Sequence, residues 1–340
     1  MKRLILCVLT LTLAIAASAQ PCCGEQKQKN IQPPFLKPGD KIAIISPSYT
    51  CNRTAVDTAA IVLREWGYEP VLGANIDSLY RGKYAGTAEQ RLADLRAAIE
   101  DPEIKAIICS RGGYGTIHLA DMMDCSEFAY DPKWLVGFSD ITTLLAMETC
   151  GGVMGIHGTI GSYIAKFHGT DSSSVILKDL LEGTVPEYEL PSTPLNMPGE
   201  GTGMLVGGNI CTITPLLGSA ADPTLEGDLI IFIEEVEESY HNIDRLFNML
   251  ILSGAMDRCK GVILGQFSDC GADLEWDSVE QMLCSYLEGR GIPVICGFPA
   301  GHDHPNLPLI MGAQTTIKVT ENKSTITFDV KGRKKKVYAN

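Results

Sequence analysis

The sequence predicts an α/β protein with a mostly parallel sheet, because short apolar runs alternate along the chain with segments of helical pattern. Apolar runs at 41–45 and 106–109 predict strands, 134–140 predicts a strand with the turn that follows it, and a capping box at 87–90 marks the start of a helix. Strands that alternate with helices form right-handed βαβ units. In such sheets, binding and catalytic sites lie beyond the carboxyl ends of the strands.

A second unit follows a stretch rich in proline and glycine at 186–203. That composition predicts an irregular interdomain linker, which separates an N-terminal domain over 33–185 from a C-terminal domain over 204–330. Two β-rich segments within 315–330 predict a closing hairpin. The lysine-rich end at 331–336 predicts a solvated tail.

The N-terminus has the pattern of a secretory signal peptide. It opens with two basic residues, is apolar over 4–17 and ends with the small-residue pattern Ala-Ser-Ala at 17–19. The apolar run is too short to span a bilayer comfortably, and no later segment is long and apolar enough to do so. We therefore predict that residues 1–19 are removed and that the protein is exported to the periplasm. A lipid anchor on Cys22 is the less favoured alternative.

The charge of the chain argues against nucleic acid and anionic membrane surfaces as partners. The chain carries 28 basic and 41 acidic residues, a net charge of −13, and the predicted cleavage removes two of the basic residues. Nucleic acid requires a basic surface.

Several of the 12 cysteines, such as Cys109 and Cys296, lie in or beside apolar runs, which predicts mostly buried thiols rather than a disulfide framework.

The most informative segment is 134–145, where an apolar strand ends in Gly-Phe-Ser-Asp and a helical pattern begins at once. A serine at such a turn exposes its hydroxyl at the carboxyl end of the sheet, with the next backbone N–H directed at the group under attack. This pattern favours a serine hydrolase with Ser139 as nucleophile, although Ile141 replaces the second glycine of the usual motif. The alternative is that Ser139 or Asp140 only caps the following helix.

A serine nucleophile requires a base, usually histidine, and the base requires an orienting acceptor. His302 and His304 lie in a loop rich in glycine and proline after an apolar run at 293–296, where a catalytic base is expected; His157 also follows an apolar run. Glu234 directly follows five apolar residues, and a carboxylate at a strand end can hold the tautomer of a histidine. The order Ser, Glu, His is one that α/β hydrolases use.

The same loop allows a metal site as an alternative. The imidazoles of His302 and His304, with Asp303 between them, could bind zinc. No second cluster supplies the remaining ligands at a recognisable spacing. We therefore predict neither a metal ion nor a cofactor.

A glycine-rich loop, Arg-Gly-Gly-Tyr-Gly at 111–115, follows the second predicted strand. Its glycines let the backbone approach a ligand closely and direct N–H groups at an oxyanion, although a tight turn is the simpler alternative. The loop is too short for a phosphate loop and lacks its Lys-Ser/Thr pair. We take Arg111 and Tyr114 of this loop as candidate substrate-binding residues.

Together these segments resemble the LD-carboxypeptidases, a serine peptidase family that includes muramoyl-tetrapeptide carboxypeptidases and microcin-immunity proteins. The resemblance covers about 33–330 and depends on many blocks in the same order. These blocks are Leu36-Lys37-Pro38-Gly39-Asp40-Lys41-Ile42-Ala43, Ser46-Pro47-Ser48, the loop at 111–115, Gly137-Phe138-Ser139-Asp140-Ile141-Thr142, His157-Gly158, Gly207-Gly208-Asn209, Phe232-Ile233-Glu234-Glu235, Ile243-Asp244-Arg245, 261–267 and Gly301-His302.

The resemblance implies roles for five residues. Ser139 would be the nucleophile, Glu234 the orienting acid and His302 the base. The N–H groups of Asp140 and Gly113 would form the oxyanion hole. The resemblance also implies an N-terminal three-layer domain, a C-terminal α/β domain of barrel-like or swivelling type, and commonly a homodimer.

The implied reaction is removal of the terminal D-Ala from a murein tetrapeptide, whose third residue is L-lysine or diaminopimelate. Two departures from the family pattern, Thr159 and the stretch 307–312, bear on the substrate more than on the implied Ser, Glu and His. The alternative enzyme is a microcin-immunity-type hydrolase of peptides or acyl nucleotides, and the alternative non-enzyme is a periplasmic peptide-binding protein. Only the enzymes need Ser139, Glu234 and His302 to lie within hydrogen-bond reach of one another.

Overall fold

The alternation of strands and helices predicted from the sequence is present in the computed structural model, which describes residues 30–339. The predicted signal peptide at 1–19 and Cys22 lie outside the described residues. The strands are β1 (Lys41–Ile45), β2 (Glu69–Leu72), β3 (Ile104–Cys109), β4 (Trp134–Gly137), β5 (Gly155–His157), β6 (Thr184–Pro191), β7 (Gly199–Asn209), β8 (Leu229–Val236), β9 (Cys259–Ser268), β10 (Val294–Ile295), β11 (Leu309–Met311), β12 (Gln314–Val319), β13 (Lys323–Phe328) and β14 (Arg333–Tyr338). The α-helices are α1 (Arg53–Glu65), α2 (Ala88–Glu100), α3 (Thr142–Cys150), α4 (Gly161–Phe167), α5 (Ser172–Leu181), α6 (Ile210–Ile213), α7 (Tyr240–Leu252) and α8 (Val279–Leu287).

The first sheet has six strands in the order β11-β5-β4-β3-β1-β2, and all except the edge strand β11 run parallel. Strands β1, β3 and β4 are buried along almost their whole length, as expected for parallel strands covered on both faces. Helices α1 and α4 pack against each other on one face, and right-handed crossovers place α2 and α3 on the other. The three-layer N-terminal fold is therefore confirmed.

The second sheet has eight strands in the order β10-β9-β8-β7-β12-β13-β6-β14. Strands β7 to β10 are parallel, and β12 and β13 form the predicted antiparallel hairpin. Apolar residues of α7 and α8 share a buried cluster with β8 and β9. In the described part of the chain this sheet is open, with β10 and β14 at its edges, so its strands do not close into a barrel.

The prediction of an irregular linker at 186–203 is wrong over most of its length. Strand β6 and the start of β7 occupy much of the stretch, and β6 pairs with both β13 and β14. Burial explains the difference, because Val185, Tyr188 and Leu190 all pack into the core. The apolar packing of these side chains outweighs the turn-forming tendency of the neighbouring prolines.

The lysine-rich end is also not a tail, since β14 pairs in parallel with β6. Lys335 and Lys336 form ion pairs with Asp179 and Glu189. Lysines are common on edge strands because their charge discourages pairing with another chain. The dense positive charge that suggests a solvated tail therefore belongs to an edge strand of the second sheet.

The segment between β10 and β11 leads from the second sheet back to the first. After β10, the loop that contains His302 leads to β11, which pairs with β5 of the first sheet. This crossing brings a loop of the C-terminal half over the carboxyl ends of β4 and β5. No helix within residues 30–339 has both the length and the apolar character needed to cross a bilayer.

Candidate active site

Ser139 occupies a strained turn between β4 and the helical segment that begins at residue 139. Its φ of 62° lies in the left-handed region, which is costly for a residue with a side chain and is concentrated at functional sites. A Cβ on Gly137 would lie 2.7 Å from Cγ2 of Ile141. The residue that replaces the second glycine of the usual motif therefore packs against the first glycine of the turn.

Asp140 anchors this turn to two neighbouring loops. It is 5% exposed, and its carboxylate accepts hydrogen bonds from Ser48 Oγ at 2.6 Å and from the Thr116 N–H at 3.0 Å. Thr116 Oγ1 also donates to the Asp140 carbonyl at 2.5 Å. The sequence pattern gives no role to Ser48 or Thr116, although Ser48 belongs to one of the blocks that carry the family resemblance.

Arg91 of α2 links the two loops that contact Asp140 through hydrogen bonds to their backbone carbonyls. It is 3% exposed, and its Nη1 donates to the Pro47 carbonyl at 2.7 Å and to the Gly115 carbonyl at 2.8 Å. The helical pattern around Arg91 in the sequence does not predict these hydrogen bonds.

The glycine-rich loop passes directly beside Ser139. A Cβ on Gly112 would lie 3.1 Å from Ser139 Oγ, and a Cβ on Gly113, which has a φ of 125°, would lie 2.4 Å from the ring of Tyr49. A larger residue at position 113 would therefore clash with Tyr49, and one at position 112 would crowd Ser139. The backbone N–H groups of Gly113 and Asp140 have no protein acceptor among residues 30–339, so they are free to bind a ligand.

Ser139, His302 and Glu234 form one hydrogen-bonded line. His302 Nε2 lies 3.0 Å from Ser139 Oγ, and His302 Nδ1 lies 2.7 Å from Glu234 Oε2. Both distances are within the range of hydrogen bonds. The side chain of Glu234 is fully buried and that of His302 is 16% exposed, so their interaction is only weakly screened by water.

Burial and the charge of the partner have opposite effects on the pKa values of His302 and Glu234. Burial lowers the pKa of His302, but the hydrogen bond to Glu234 and the negative charge of that carboxylate outweigh it, so the net pKa is raised. Burial raises the pKa of Glu234, and the contact with His302 offsets part of that rise.

The loop that contains His302 is fixed by its own contacts. A Cβ on Gly301, which has a φ of 148°, would lie 3.2 Å from Glu234 Oε2, so glycine permits the close approach of the two groups. The Gly301 N–H donates to Asn306 Oδ1 at 3.1 Å. Gln266 of β9 accepts from the Asp303 N–H at 3.0 Å.

The neighbouring Glu235 has a different environment from Glu234. Its Oε1 accepts a hydrogen bond from Asn209 Nδ2 at 2.7 Å, and its Oε2 accepts one from the Cys211 N–H at 3.0 Å. The Asn209 N–H in turn donates to Thr142 Oγ1 at 3.1 Å. These contacts hold the end of β7 against the first residue of α3, a role that the sequence does not predict for Asn209 or Thr142.

The other candidate histidines do not contact Ser139. His157 is completely buried against the rings of Phe138 and Phe232, and burial lowers its pKa to about 3. His304 is 42% exposed and lies over the ring of Phe167.

The metal alternative receives no support from the directions of the side chains. Asp303 accepts a hydrogen bond from Ser268 Oγ, and His304 faces Phe167 and Asp171, so neither converges with His302. Within residues 30–339, no group of three or more His, Cys, Asp or Glu is arranged to hold a metal ion.

A cavity of about 510 Å³ opens above Ser139 between the ends of the two sheets. Its wall includes Arg111 from the first sheet and Glu237 from the second, with Tyr163 beside them. Tyr114 is not one of the residues that line this cavity. Its side chain is 49% exposed, and its ring contacts that of His118 edge-on.

Fold and site together define a hydrolase of two α/β units with a serine at their junction, and comparison with known families agrees. Residues 42–158 match the LD-carboxypeptidase N-terminal domain, and residues 202–317 match the LD-carboxypeptidase C-terminal domain. The chain belongs to the LD-carboxypeptidase family, which confirms the resemblance found in the sequence.

Three similar proteins illustrate the match. A Bacillus subtilis protein named "Probable murein peptide carboxypeptidase" is 32% identical over 309 residues, which cover 88% of this chain and 96% of that protein. The murein tetrapeptide carboxypeptidase of Pseudomonas aeruginosa is 29% identical over 276 residues, which cover 78% and 89%. The crystal structure of an MccF-like protein from Bacillus anthracis has a TM-score of 0.78 at 25% identity and covers 88% of this chain and 99% of that one.

Proposed function

We propose that this chain is a serine LD-carboxypeptidase that removes the terminal D-Ala from murein tetrapeptides. The observation that carries the proposal is the hydrogen-bonded line from Ser139 through His302 to Glu234 at the wall of an open cavity. The names of the Bacillus subtilis and Pseudomonas aeruginosa relatives support the choice of substrate.

In the proposed reaction, Ser139 Oγ attacks the carbonyl carbon of the third residue while His302 Nε2 accepts its proton. Glu234 holds the imidazole tautomer and stabilises the imidazolium that forms. The N–H groups of Asp140 and Gly113 donate to the oxyanion. His302 then gives its proton to the leaving amine of D-Ala, and water hydrolyses the ester on Ser139 to release the tripeptide.

A carboxypeptidase also needs a group that recognises the free carboxylate of its substrate. Arg111 lines the cavity, donates a long hydrogen bond to the Thr50 carbonyl at 3.4 Å and lies over the ring of Tyr49, and it forms no ion pair within residues 30–339. We assign Arg111 to the terminal carboxylate of D-Ala. Tyr114 stays a candidate for contact with parts of the substrate that extend beyond the cavity.

Mass spectrometry of the purified mature protein with synthetic tetrapeptides tests this function. We expect release of D-Ala from peptides with an L-centre at the third residue, and we expect the same rate in the presence of a chelator. No release from any tetrapeptide, or loss of activity to the chelator with recovery on addition of zinc, would contradict the proposal. Cleavage of an acyl-sulfamoyl nucleotide instead would favour the microcin-immunity-type alternative.

We further propose that the protein acts outside the cytoplasm, in the periplasm, after removal of residues 1–19. A murein substrate is consistent with that location. N-terminal sequencing of the protein from its native host is expected to begin at Gln20, and retention of Met1 or Lys2 would contradict export by this route. The homodimer implied by the family resemblance stays a prediction.

A further inference from the structure

The cavity above Ser139 contains two opposite charges that the protein itself leaves unneutralised. Both residues line the cavity: Arg111 follows β3 of the first sheet, and Glu237 follows β8 of the second. Neither side chain forms an ion pair within residues 30–339, and the Glu237 carboxylate has no hydrogen-bond donor there either. Unpaired charges of opposite sign in the lining of one cavity fit a ligand that carries both an ammonium group and a carboxylate.

Glu237 differs in this respect from the other carboxylates of its segment. Glu234 and Glu235 are buried and hydrogen-bonded. Glu238 accepts a hydrogen bond from Asn242 Nδ2 at 2.7 Å. Glu237 is therefore the carboxylate of this acidic segment that is exposed to the cavity and available to a ligand.

The backbone holds Glu237 in an unusual conformation. Its φ is 55°, a left-handed value that costs free energy in a residue with a side chain. Its N–H donates to the Ser268 carbonyl at 2.9 Å, which fixes the turn against the end of β9.

We propose that Glu237 is a specificity-determining residue that binds the ammonium group on the side chain of the substrate's third residue. This inference rests on the proposed carboxypeptidase function and refines its substrate class. The enzyme would select tetrapeptides whose third residue carries an amine, such as lysine or diaminopimelate, over those with a neutral side chain. Arg111 would bind the carboxylate of the same peptide.

Two tetrapeptides that differ only at the third residue test the proposal, one with lysine and one with Nε-acetyl-lysine, in which the amine is neutralised. We expect the wild-type protein to prefer lysine by about tenfold or more in kcat/KM, the size of a charged hydrogen bond in a partly solvated site. Glu237→Gln should reduce that preference to near unity, mainly through a higher KM for the lysine peptide.

Asp269→Asn is the matched control. Asp269 is also exposed and has a φ of 52°, and it lies just after β9, but it borders a different depression. This variant should keep the preference for lysine. Equal wild-type cleavage of both peptides, or an unchanged preference in a folded Glu237→Gln variant, would overturn the role of Glu237. If the wild-type protein released D-Ala from neither peptide, the proposed function itself would fail.

Discussion

Ser139→Ala is expected to lower kcat for D-Ala release by at least about a thousandfold, because the residues of a serine-histidine-acid site act as a unit. The substitution removes Oγ, which lies 3.0 Å from His302 Nε2, and leaves the rest of the line in place. The fold should survive, since alanine and serine meet the same backbone strain at a φ of 62°. Kinetics with a synthetic tetrapeptide and thermal melting of the same sample measure both effects.

Ser162→Ala provides the control for this experiment. Ser162 lines the same cavity, but its hydroxyl forms no hydrogen bond with His302 or Glu234. This variant should keep most of the wild-type turnover. Near-normal turnover by a normally folded Ser139→Ala variant would exclude Ser139 as the nucleophile.

Local sequence patterns predict the strands and helices of this chain well where periodicity and burial agree. The strand at 134–137, the capping box of Thr87 and the hairpin of β12 and β13 all follow from a few neighbouring residues. The patterns fail where pairing with a distant strand decides the outcome. Proline and lysine content conceals β6 and β14. Strand β6 forms because it pairs with β13 and β14, and β14 forms because it pairs with β6.

The candidate site shows the same limit. Ser139, Glu234 and His302 each have local context that identifies them as candidates, but their sequence separations say nothing about a shared hydrogen-bonded line. The pattern favours Glu234 because it directly follows the apolar run, but the different contacts of Glu234 and Glu235 depend on which face of β8 each side chain occupies. Alternation along that strand directs Glu234 to His302 and Glu235 to Asn209.

The pH dependence of kcat/KM provides the test of His302 as general base. The imidazole must be neutral to accept the Ser139 proton, so kcat/KM should fall as the pH drops through the pKa of His302 in the free enzyme. Burial lowers that pKa, but the hydrogen bond to Glu234 and its charge raise it by more. We therefore expect the midpoint of the acidic limb to lie above the value of about 6.5 for an unperturbed imidazole.

Glu234→Gln should move this midpoint to lower pH and reduce kcat by about ten-thousandfold. The amide retains the size of the side chain but carries no charge to stabilise the imidazolium, so the burial of His302 then dominates its pKa. His304→Ala is the matched control, because His304 is 42% exposed and lies over Phe167, and its removal should leave the midpoint unchanged. An unshifted midpoint in Glu234→Gln, together with an active His302→Ala variant, would mean that Glu234 and His302 are not the acid and base of this enzyme.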